Sequence, residues 1–306
     1  MENTPHHIST EDAGCRIQGL AEEYLNAQAG NPRTATLRRQ SIGHLERFLD
    51  AQGHERLADI TPTDLEAWRR DLQQRNFAPA SIEVFCRAVR QFFNWLEREQ
   101  RLFINPAARF IVPRPLRPAL PVPTPAQVQR LLTQPDRRTP IGVRDRALLA
   151  TAYATGITTQ ELLRLQCQDA SSKTLRVRSG KPRTLPLEAT AAEALTCYLA
   201  QARQALLGNR KTPALWLTQQ GEALTQVALQ GVFRCHSKAI DLGCMTSAAV
   251  RRTCAVHHWQ AGAHPLELQL LLGHASLQTL CQYLRVTKIE LFRPYKEKHH
   301  EAAEVA

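Results

Sequence analysis

The stretch that decides the fold is Ser247–Val286, which reads SAAVRRTCAVHHWQAGAHPLELQLLLGHASLQTLCQYLRV. Its apolar residues recur at helical spacing, and they predict helices at 246–261, 265–272 and 277–285. Ser276 is a suitable N-cap for the last of these helices. That helix carries Tyr283, nine positions after His274. A helical tyrosine is most often a half-buried packing residue, so the information lies in its register with the histidine.

Positive charge is the main compositional feature of the chain. It has 39 Lys and Arg against 28 Asp and Glu, a formal net charge of +11. This surplus favours a polyanionic partner, because neutralising phosphates releases their counterions. Basic chains also bind acidic membranes, or no polyanion at all. No run of sequence approaches the ~18 apolar residues of a membrane span, and residues 1–14 lack the features of a signal peptide, so membrane insertion and export are not expected.

Cysteine and histidine do not predict a metal site. The eight cysteines are scattered and form no CxxC pair, which favours a reducing compartment and argues against structural zinc. The pairs His257-His258 and His299-His300 are adjacent in sequence, and adjacent residues do not face one another on a helix as i,i+4 pairs do. We expect neither a metal nor another cofactor.

The first hundred residues predict four helices, because proline and glycine fall between the apolar-periodic segments. The helices are placed at 13–29, 33–51, 63–75 and 79–99. In the fourth, Glu83, Arg87, Arg90 and Asn94 fall opposite the apolar residues, and Arg39 lies on the polar face of the second. These basic faces are available to a polyanion such as DNA, although a merely solvated face shows the same pattern.

A proline-rich segment divides the chain. Seven prolines from Pro106 to Pro125 interrupt any helix and favour extended, semi-rigid chain. Three arginines make this segment basic, as in a linker between domains that close around a duplex, although a plain spacer has similar composition. A chain of 306 residues can form two cores. The predicted organisation is a flexible N-terminus at 1–12, a first domain at 13–105, a linker at 106–121, a second domain at 122–300 and a tail at 301–306.

The second domain is predicted to be mostly helical with a small antiparallel sheet. Near-alternating residues around Ser179-Gly180 predict a β-hairpin from about 173 to 187. ALWLT at 214–218 predicts a short strand. Further helices are placed at 125–133, 142–155, 188–206 and 224–241. The predicted fold class is therefore mainly α, in two domains, the second of mixed α+β type.

Three segments together resemble a known family. ATGITTQELLRL at 154–165, the proline-rich connector and the 247–286 segment, with its LLGH and following tyrosine, have the order and spacing of tyrosine recombinases, in particular Xer-like and phage-integrase-like members. The resemblance extends over the whole chain. It implies a SAM-like four-helix core-binding domain followed by a tyrosine-recombinase catalytic-type domain.

The resemblance also implies site residues. In that family a tyrosine hydroxyl attacks a DNA phosphate to form a 3′-phosphotyrosyl link, arginines and histidines stabilise the developing charge, and a hairpin lysine protonates the leaving oxygen. Tyr283 stands at the nucleophile position, Arg251 at the second arginine and His274 at the phosphate-contacting histidine. No metal is implied, because fixed guanidinium groups supply the positive charge.

The chain departs from this pattern at catalytic positions. Thr158 stands where the family has its first arginine, and Ala248 replaces the histidine of H-x-x-R. In the hairpin, Lys181 is the only lysine at the turn, but counting back from Pro186-Leu187 puts Arg178 in the usual lysine position. Lys181 and Arg178 are therefore alternative candidates for that role.

The replacements at Thr158 and Ala248 are expected to lower the rate of DNA cleavage. Removing one charge-stabilising donor costs on the order of 3–4 kcal/mol in barrier, and a proton-transfer group is worth about another hundredfold. The preferred hypothesis is a site-specific DNA-binding protein with impaired cleavage that acts as an architectural or regulatory partner in recombination. The alternatives are an active recombinase or integrase, and a transcription or replication factor with a recombinase fold.

These hypotheses share their partners and their place in the cell. Double-stranded DNA is expected as ligand, bound by a homo-oligomer or by a hetero-assembly with another recombinase, in the cytoplasm at the nucleoid. The candidate DNA-binding residues are Arg39, Arg87 and Arg90.

Overall fold

The computed structural model describes residues 17–28, 32–54, 56–115 and 120–285, apart from the side chains of residues 17, 18, 33, 58, 282 and 283. The chain divides into two compact units between Arg117 and Pro118, a position inside the proline-rich segment. The predicted flexible N-terminus at 1–12, the tail at 301–306 and residues 286–300 lie outside the described residues.

The first unit consists of four helices and one short 3₁₀ turn, Leu57–Asp59. The helices are α1 Ile17–Ala27, α2 Pro32–Ala51, α3 Pro62–Gln74 and α4 Pro79–Arg98. Proline stands in the first turn of α3 and of α4, where its missing N–H leaves no helical hydrogen bond unmade. The four predicted helices of this unit are therefore present.

An aromatic cluster fixes the core of the first unit. Tyr24 of α1 lies with its ring centroid 5.5 Å from that of Phe92 and 5.4 Å from that of Trp95, both on α4. One residue contradicts the predicted α4 pattern: Glu83, placed on the solvent face, is only 6% exposed. Its carboxylate pairs with Arg87 one turn later, which makes burial of that charge tolerable.

The second unit contains nine described α-helices and one β-hairpin. The helices are α5 Pro125–Thr133, α6 Pro140–Thr155, α7 Thr159–Arg164, α8 Ala189–Cys197, α9 Arg203–Leu207, α10 Gln226–Lys238, α11 Ser247–Gln260, α12 Pro265–Leu272 and α13 Leu277–Arg285. A π-helical turn, Tyr198–Ala202, joins α8 to α9. Helix α6 is buried along most of its length and packs on α8 and α11, so it forms the centre of this unit.

Among the described residues, the β-hairpin is the only sheet. Strands β1 Thr174–Val177 and β2 Arg183–Pro186 pair antiparallel, with Thr174 opposite Pro186 and Val177 opposite Arg183. The strand predicted at 214–218 is wrong, because that segment makes only the isolated bridges Gln166↔Ala214 and Leu217↔Ala223. The mainly helical, two-unit fold with a small antiparallel sheet confirms the predicted fold class.

Threonine caps recur at the helix starts. A threonine hydroxyl accepts the backbone N–H three residues later at the N-terminus of α3, α5, α6, α7, α10 and α11. Each such cap satisfies one N–H that lacks a partner within its helix. One of these caps is Thr158, which the resemblance places at the position of the family's first arginine.

Among the helices of the described residues, none is long and apolar enough to cross a membrane.

Candidate functional site

The C-terminal end of α12 organises the site. Gly273 ends the helix with a left-handed φ of 68°, a conformation that glycine adopts without a Cβ penalty. The Gly273 N–H donates to the Leu270 carbonyl at 3.1 Å, and the His274 N–H donates to that of Gln269 at 3.0 Å. The carbonyls of the last two helical residues accept bonds from arginine side chains instead.

Arg251 is the first of these arginines. It comes from α11 and is 8% exposed. Its Nη2 donates to the Leu272 carbonyl at 2.8 Å and its Nη1 donates to the Gly156 carbonyl at 2.5 Å. Gly156 ends α6 directly before the Thr158 segment. Arg251 therefore joins the two loops that carry His274 and Thr158.

Lys181 reaches the same turn from the hairpin. Its Nζ donates to the His274 carbonyl at 2.9 Å. Arg178, the alternative candidate for the lysine position, instead pairs with the buried carboxylate of Asp169. The structure therefore brings Lys181, and not Arg178, to His274.

Arg183 is a third cation at this turn, and sequence reasoning missed it. It begins β2 and is 11% exposed. Its Nε donates to the Leu271 carbonyl at 2.9 Å, and its Nη1 donates to the Lys181 carbonyl at 3.0 Å and to Glu161 at 2.6 Å. The available sequence signal was an Arg beside the hairpin turn, but two of its three acceptor residues, Leu271 and Glu161, lie on other elements.

His274 lies among these cations. It is 7% exposed, and its pKa is lowered to about 4, first by burial and then by the charges of Arg251, Arg183 and Lys181. The imidazole is therefore neutral at neutral pH and can donate one hydrogen bond and accept another. Three cations around a neutral histidine form a site suited to an anion.

Thr158 performs a structural task. Its Oγ1 accepts the Glu161 N–H at 3.2 Å, and its own N–H donates to a Glu161 carboxylate oxygen at 2.7 Å. This capping box starts α7. Although burial acts to raise the pKa of Glu161, hydrogen bonds from Arg183 and Thr158 hold it below its usual value. The carboxylate is thus ionised, and Thr158 contributes no charge.

Ala248 is exposed in the first turn of α11, one turn before Arg251. A polar cluster that sequence reasoning also missed lies beside it. The Oγ atoms of Thr159 and Ser247 are 2.6 Å apart, and Gln230 donates to Ser247 at 2.7 Å. These neutral groups join the starts of α7 and α11 but do not replace an imidazole in proton transfer.

Helix α13 carries Tyr283. Leu280 and Leu284 are buried against α11 and α12, the helices that supply Arg251 and end beside His274. The side chain of Tyr283 lies outside those that the structure describes, and its backbone lies in α13.

Two of the three predicted DNA-binding arginines are ion-paired. Arg39 pairs with Glu22 at 2.6 Å, and both side chains are well exposed. Arg87 pairs with the buried Glu83. Arg90 is exposed on α4. A phosphate contact by Arg39 or Arg87 would therefore compete with an existing carboxylate.

No cluster of three or more His, Cys, Asp and Glu residues with the arrangement of a metal site occurs within the described ranges.

Comparisons with protein families match most of the chain. Residues 122–290 match the phage integrase family, and residues 21–100 match the phage integrase N-terminal SAM-like domain. Tyrosine recombinase XerC of Pelotomaculum thermopropionicum is 32% identical over 296 residues, covering 91% of this chain and 96% of the relative. Tyrosine recombinase XerD of Vibrio cholerae serotype O1 is 29% identical over 300 residues, covering 93% of this chain and 97% of the relative.

Solved structures share the fold. A lambda integrase dimer bound to a COC′ core site has a TM-score of 0.72 at 19% identity, covering 94% of this chain and 82% of that chain. XerH site-specific recombinase bound to its difH substrate has a TM-score of 0.67 at 18% identity, with coverages of 88% and 82%.

Proposed function

The chain belongs to the phage integrase family of tyrosine recombinases, and from this premise we propose that it binds a specific site on double-stranded DNA with impaired strand cleavage. Its role is then that of an architectural or regulatory partner in recombination. A protein with this role acts at the nucleoid, in the cytoplasm. Two related structures are bound to a COC′ core site and to difH substrate, and a related Tn1549 transposon integrase is in complex with circular intermediate DNA.

The observation that carries the proposal is the arrangement of Arg251, Lys181 and Arg183 around His274. In this proposal the bound anion is a DNA phosphate. Burial of the arginines strengthens their attraction for phosphate, since a low local dielectric screens charge less than water does. The surrounding carbonyls hold the cations in place before DNA arrives, so little rearrangement opposes binding.

The proposed defect lies at Thr158 and Ala248. Thr158 supplies a hydroxyl that is already used in a helix cap, and Ala248 has no group that transfers a proton. The loss of one charge-stabilising donor lowers a rate by about a hundred- to thousandfold. Loss of a general acid or base removes about another hundredfold. Binding and cleavage are then separated, because the phosphate-binding cations remain while two catalytic groups are absent.

Active recombination is the second candidate. It is favoured by full-length similarity to XerC and XerD recombinases and by Tyr283 at the nucleophile position. In this case Tyr283 attacks the scissile phosphate, Arg251 and His274 bind it, and Lys181 protonates the leaving oxygen.

Assembly on DNA is part of the proposal. The related lambda integrase structure is a dimer on its core site. We expect this chain to act as a homo-oligomer on DNA or together with a second recombinase that supplies a complete active site.

A suicide substrate tests cleavage directly. A nicked duplex traps a covalent protein–DNA adduct, which is measured on a denaturing gel. The target site is first selected from a random-sequence library with the full-length protein. We expect specific binding without adduct. An adduct formed by the parent and lost in Tyr283→Phe would establish the second candidate, and absence of any preferred sequence would refute site-specific binding.

A further inference from the structure

Arg183 is bonded to three of the elements around the site. It contacts the hairpin turn through the Lys181 carbonyl, the end of α12 through the Leu271 carbonyl, and the start of α7 through Glu161. These contacts span up to 88 residues of sequence. Since α7 is capped by Thr158, the guanidinium lies beside the segment from which the family's first arginine is missing.

We propose that Arg183 is a phosphate-binding residue of this site and supplies part of the positive charge that Thr158 lacks, with Glu161 as the group that positions it. The inference rests on the proposed function, because the phosphate in question is that of bound DNA. It extends that function by assigning to the site a cation in addition to Arg251 and Lys181.

The donor geometry of Arg183 supports a further contact. A guanidinium has five N–H donors. One on Nε and two on Nη1 are used by carbonyls and Glu161, and one on Nη2 bonds to Glu161 at 3.3 Å. One Nη2 hydrogen is left without a partner among the described residues, and it can be donated to a phosphate oxygen.

Gly273 keeps the guanidinium close to His274. A Cβ added at Gly273 would lie 2.8 Å from Nη1 of Arg183, closer than a carbon and a nitrogen pack. The arginine therefore occupies the space that any side chain at this position would need. The positive charge of Arg183 also lies close enough to His274 to lower the pKa of that imidazole.

Glu161 positions the arginine without closing the site. One carboxylate oxygen accepts from Nη1, and the other accepts from the Thr158 N–H and from Nη2. The carboxylate is buried, with 8% of its side chain exposed. Because all of these bonds turn it toward Arg183 and the α7 backbone, an anion meets the guanidinium edge first.

The test titrates inorganic phosphate into the full-length protein while the His274 ring signals are followed by NMR. The variants are Arg183→Gln, Glu161→Gln and the double variant, which keeps net charge and leaves no unpaired carboxylate. Matched controls are Arg210→Gln and Glu222→Gln, which change an exposed Arg–Glu pair. Neither residue is among the charges that lower the pKa of His274. Thermal unfolding identifies any variant that fails to fold.

We expect Arg183→Gln to weaken phosphate binding roughly tenfold or more, the effect of a lost hydrogen bond to a charged group, and to raise the pKa of His274. Glu161→Gln should strengthen phosphate binding, because the amide oxygen still accepts from Arg183 and keeps it in position while the competing negative charge is removed. With a mixed-sequence duplex, Arg183→Gln should lower the log–log salt slope by about 0.9 relative to Arg210→Gln.

Two results would overturn the inference. One is phosphate affinity in folded Arg183→Gln and double variants equal to that of the controls. The other is equal weakening by Arg183→Gln and Glu161→Gln, which is the behaviour of a purely structural brace. If the parent binds phosphate through Arg183 but binds no DNA duplex, the proposed function fails while the phosphate contact stands.

Discussion

Arg251 donates to the carbonyl oxygen of Gly156 at 2.5 Å, across 95 positions of sequence. This bond joins α11 to the end of α6, and the Leu272 bond joins it to α12. A residue assigned to phosphate chemistry is thus also a structural connector. We therefore predict that Arg251→Gln unfolds at lower denaturant concentration, with a loss of about 1–3 kcal/mol for a buried group left unsatisfied. Arg176→Gln, at an exposed hairpin position, should be near neutral, and equal stabilities would show that the carbonyl bonds contribute nothing.

Acid should destabilise the second unit through His274. Its pKa is about 4 in the folded chain and about 6.5 when unfolded, so the unfolded state binds the proton more tightly. The stabilising contribution is complete above the unfolded pKa and is lost progressively as pH falls through 6.5 toward 4. The full loss is up to about 3 kcal/mol.

Urea unfolding at a series of pH values checks this prediction. The His274→Asn variant should have a flatter stability curve between pH 7 and pH 4 than the parent. His257 is the histidine for comparison, because burial also lowers its pKa. It bonds to Tyr153 and to the Pro123 carbonyl, and it is not part of the cation cluster around His274. If His274→Asn and the parent lose stability in parallel, the depressed pKa of His274 is not real.

DNA affinity should fall steeply with salt, because each phosphate contact adds nearly one unit to the log–log slope. Alanine at Arg39, Arg87 or Arg90 should lower that slope by about one unit. The structure adds a reciprocal expectation: Glu22→Gln releases Arg39 from its ion pair and should strengthen binding. Fluorescence anisotropy at several salt concentrations measures both effects. Arg70→Ala, on exposed α3 surface, is the control, and a flat salt response of the parent would refute backbone binding.

Removal of residues from 287 onward should separate folding from assembly. The last described helix, α13, keeps its buried Leu280 and Leu284 in such a variant, so the monomer should unfold as the parent does. The deleted segment includes Ile289, Leu291, Phe292 and Tyr295, an apolar set outside the described residues. If that set contacts a neighbouring subunit, cooperative DNA occupancy should weaken in gel-shift titrations. Unchanged cooperativity would favour a segment that folds back on its own domain.

Restoring the missing groups should restore chemistry. We predict that Thr158→Arg, Ala248→His forms adduct on a nicked substrate and that adding Tyr283→Phe abolishes it. The structure also separates the stability costs: Thr158→Arg removes a helix cap, at about 0.5–2 kcal/mol, whereas Ala248 is exposed and its replacement should stay within about 0.5 kcal/mol. If the folded variant binds DNA but forms no adduct, a further catalytic defect must lie at the hairpin or in the placement of Tyr283.

The sequence by itself determined the helical framework and the order of the family's motifs. The starts of helices could be predicted because capping signals are local. Thr61 and Thr246 each accept an N–H from a residue three positions later, which is a contact within one helical turn. The hairpin was readable for the same reason, since alternation around Ser179-Gly180 fixes which residues face inward. The two departures from the family pattern on which the proposed cleavage defect depends, Thr158 and Ala248, were also visible in sequence.

Only the tertiary structure decided which charges meet. A helical wheel places Glu83 on the solvent face of α4, but the side chain is buried in the folded chain and Arg87 compensates its charge. The segment 214–218 has strand composition, but among the described residues it forms only isolated bridges, and a strand requires a paired neighbour. Lys181 rather than Arg178 reaches His274, and Arg183 reaches Glu161 and Leu271, because the hairpin packs against α7 and α12. These contacts join residues 22 to 93 positions apart, and no local pattern encodes a distance between two such residues.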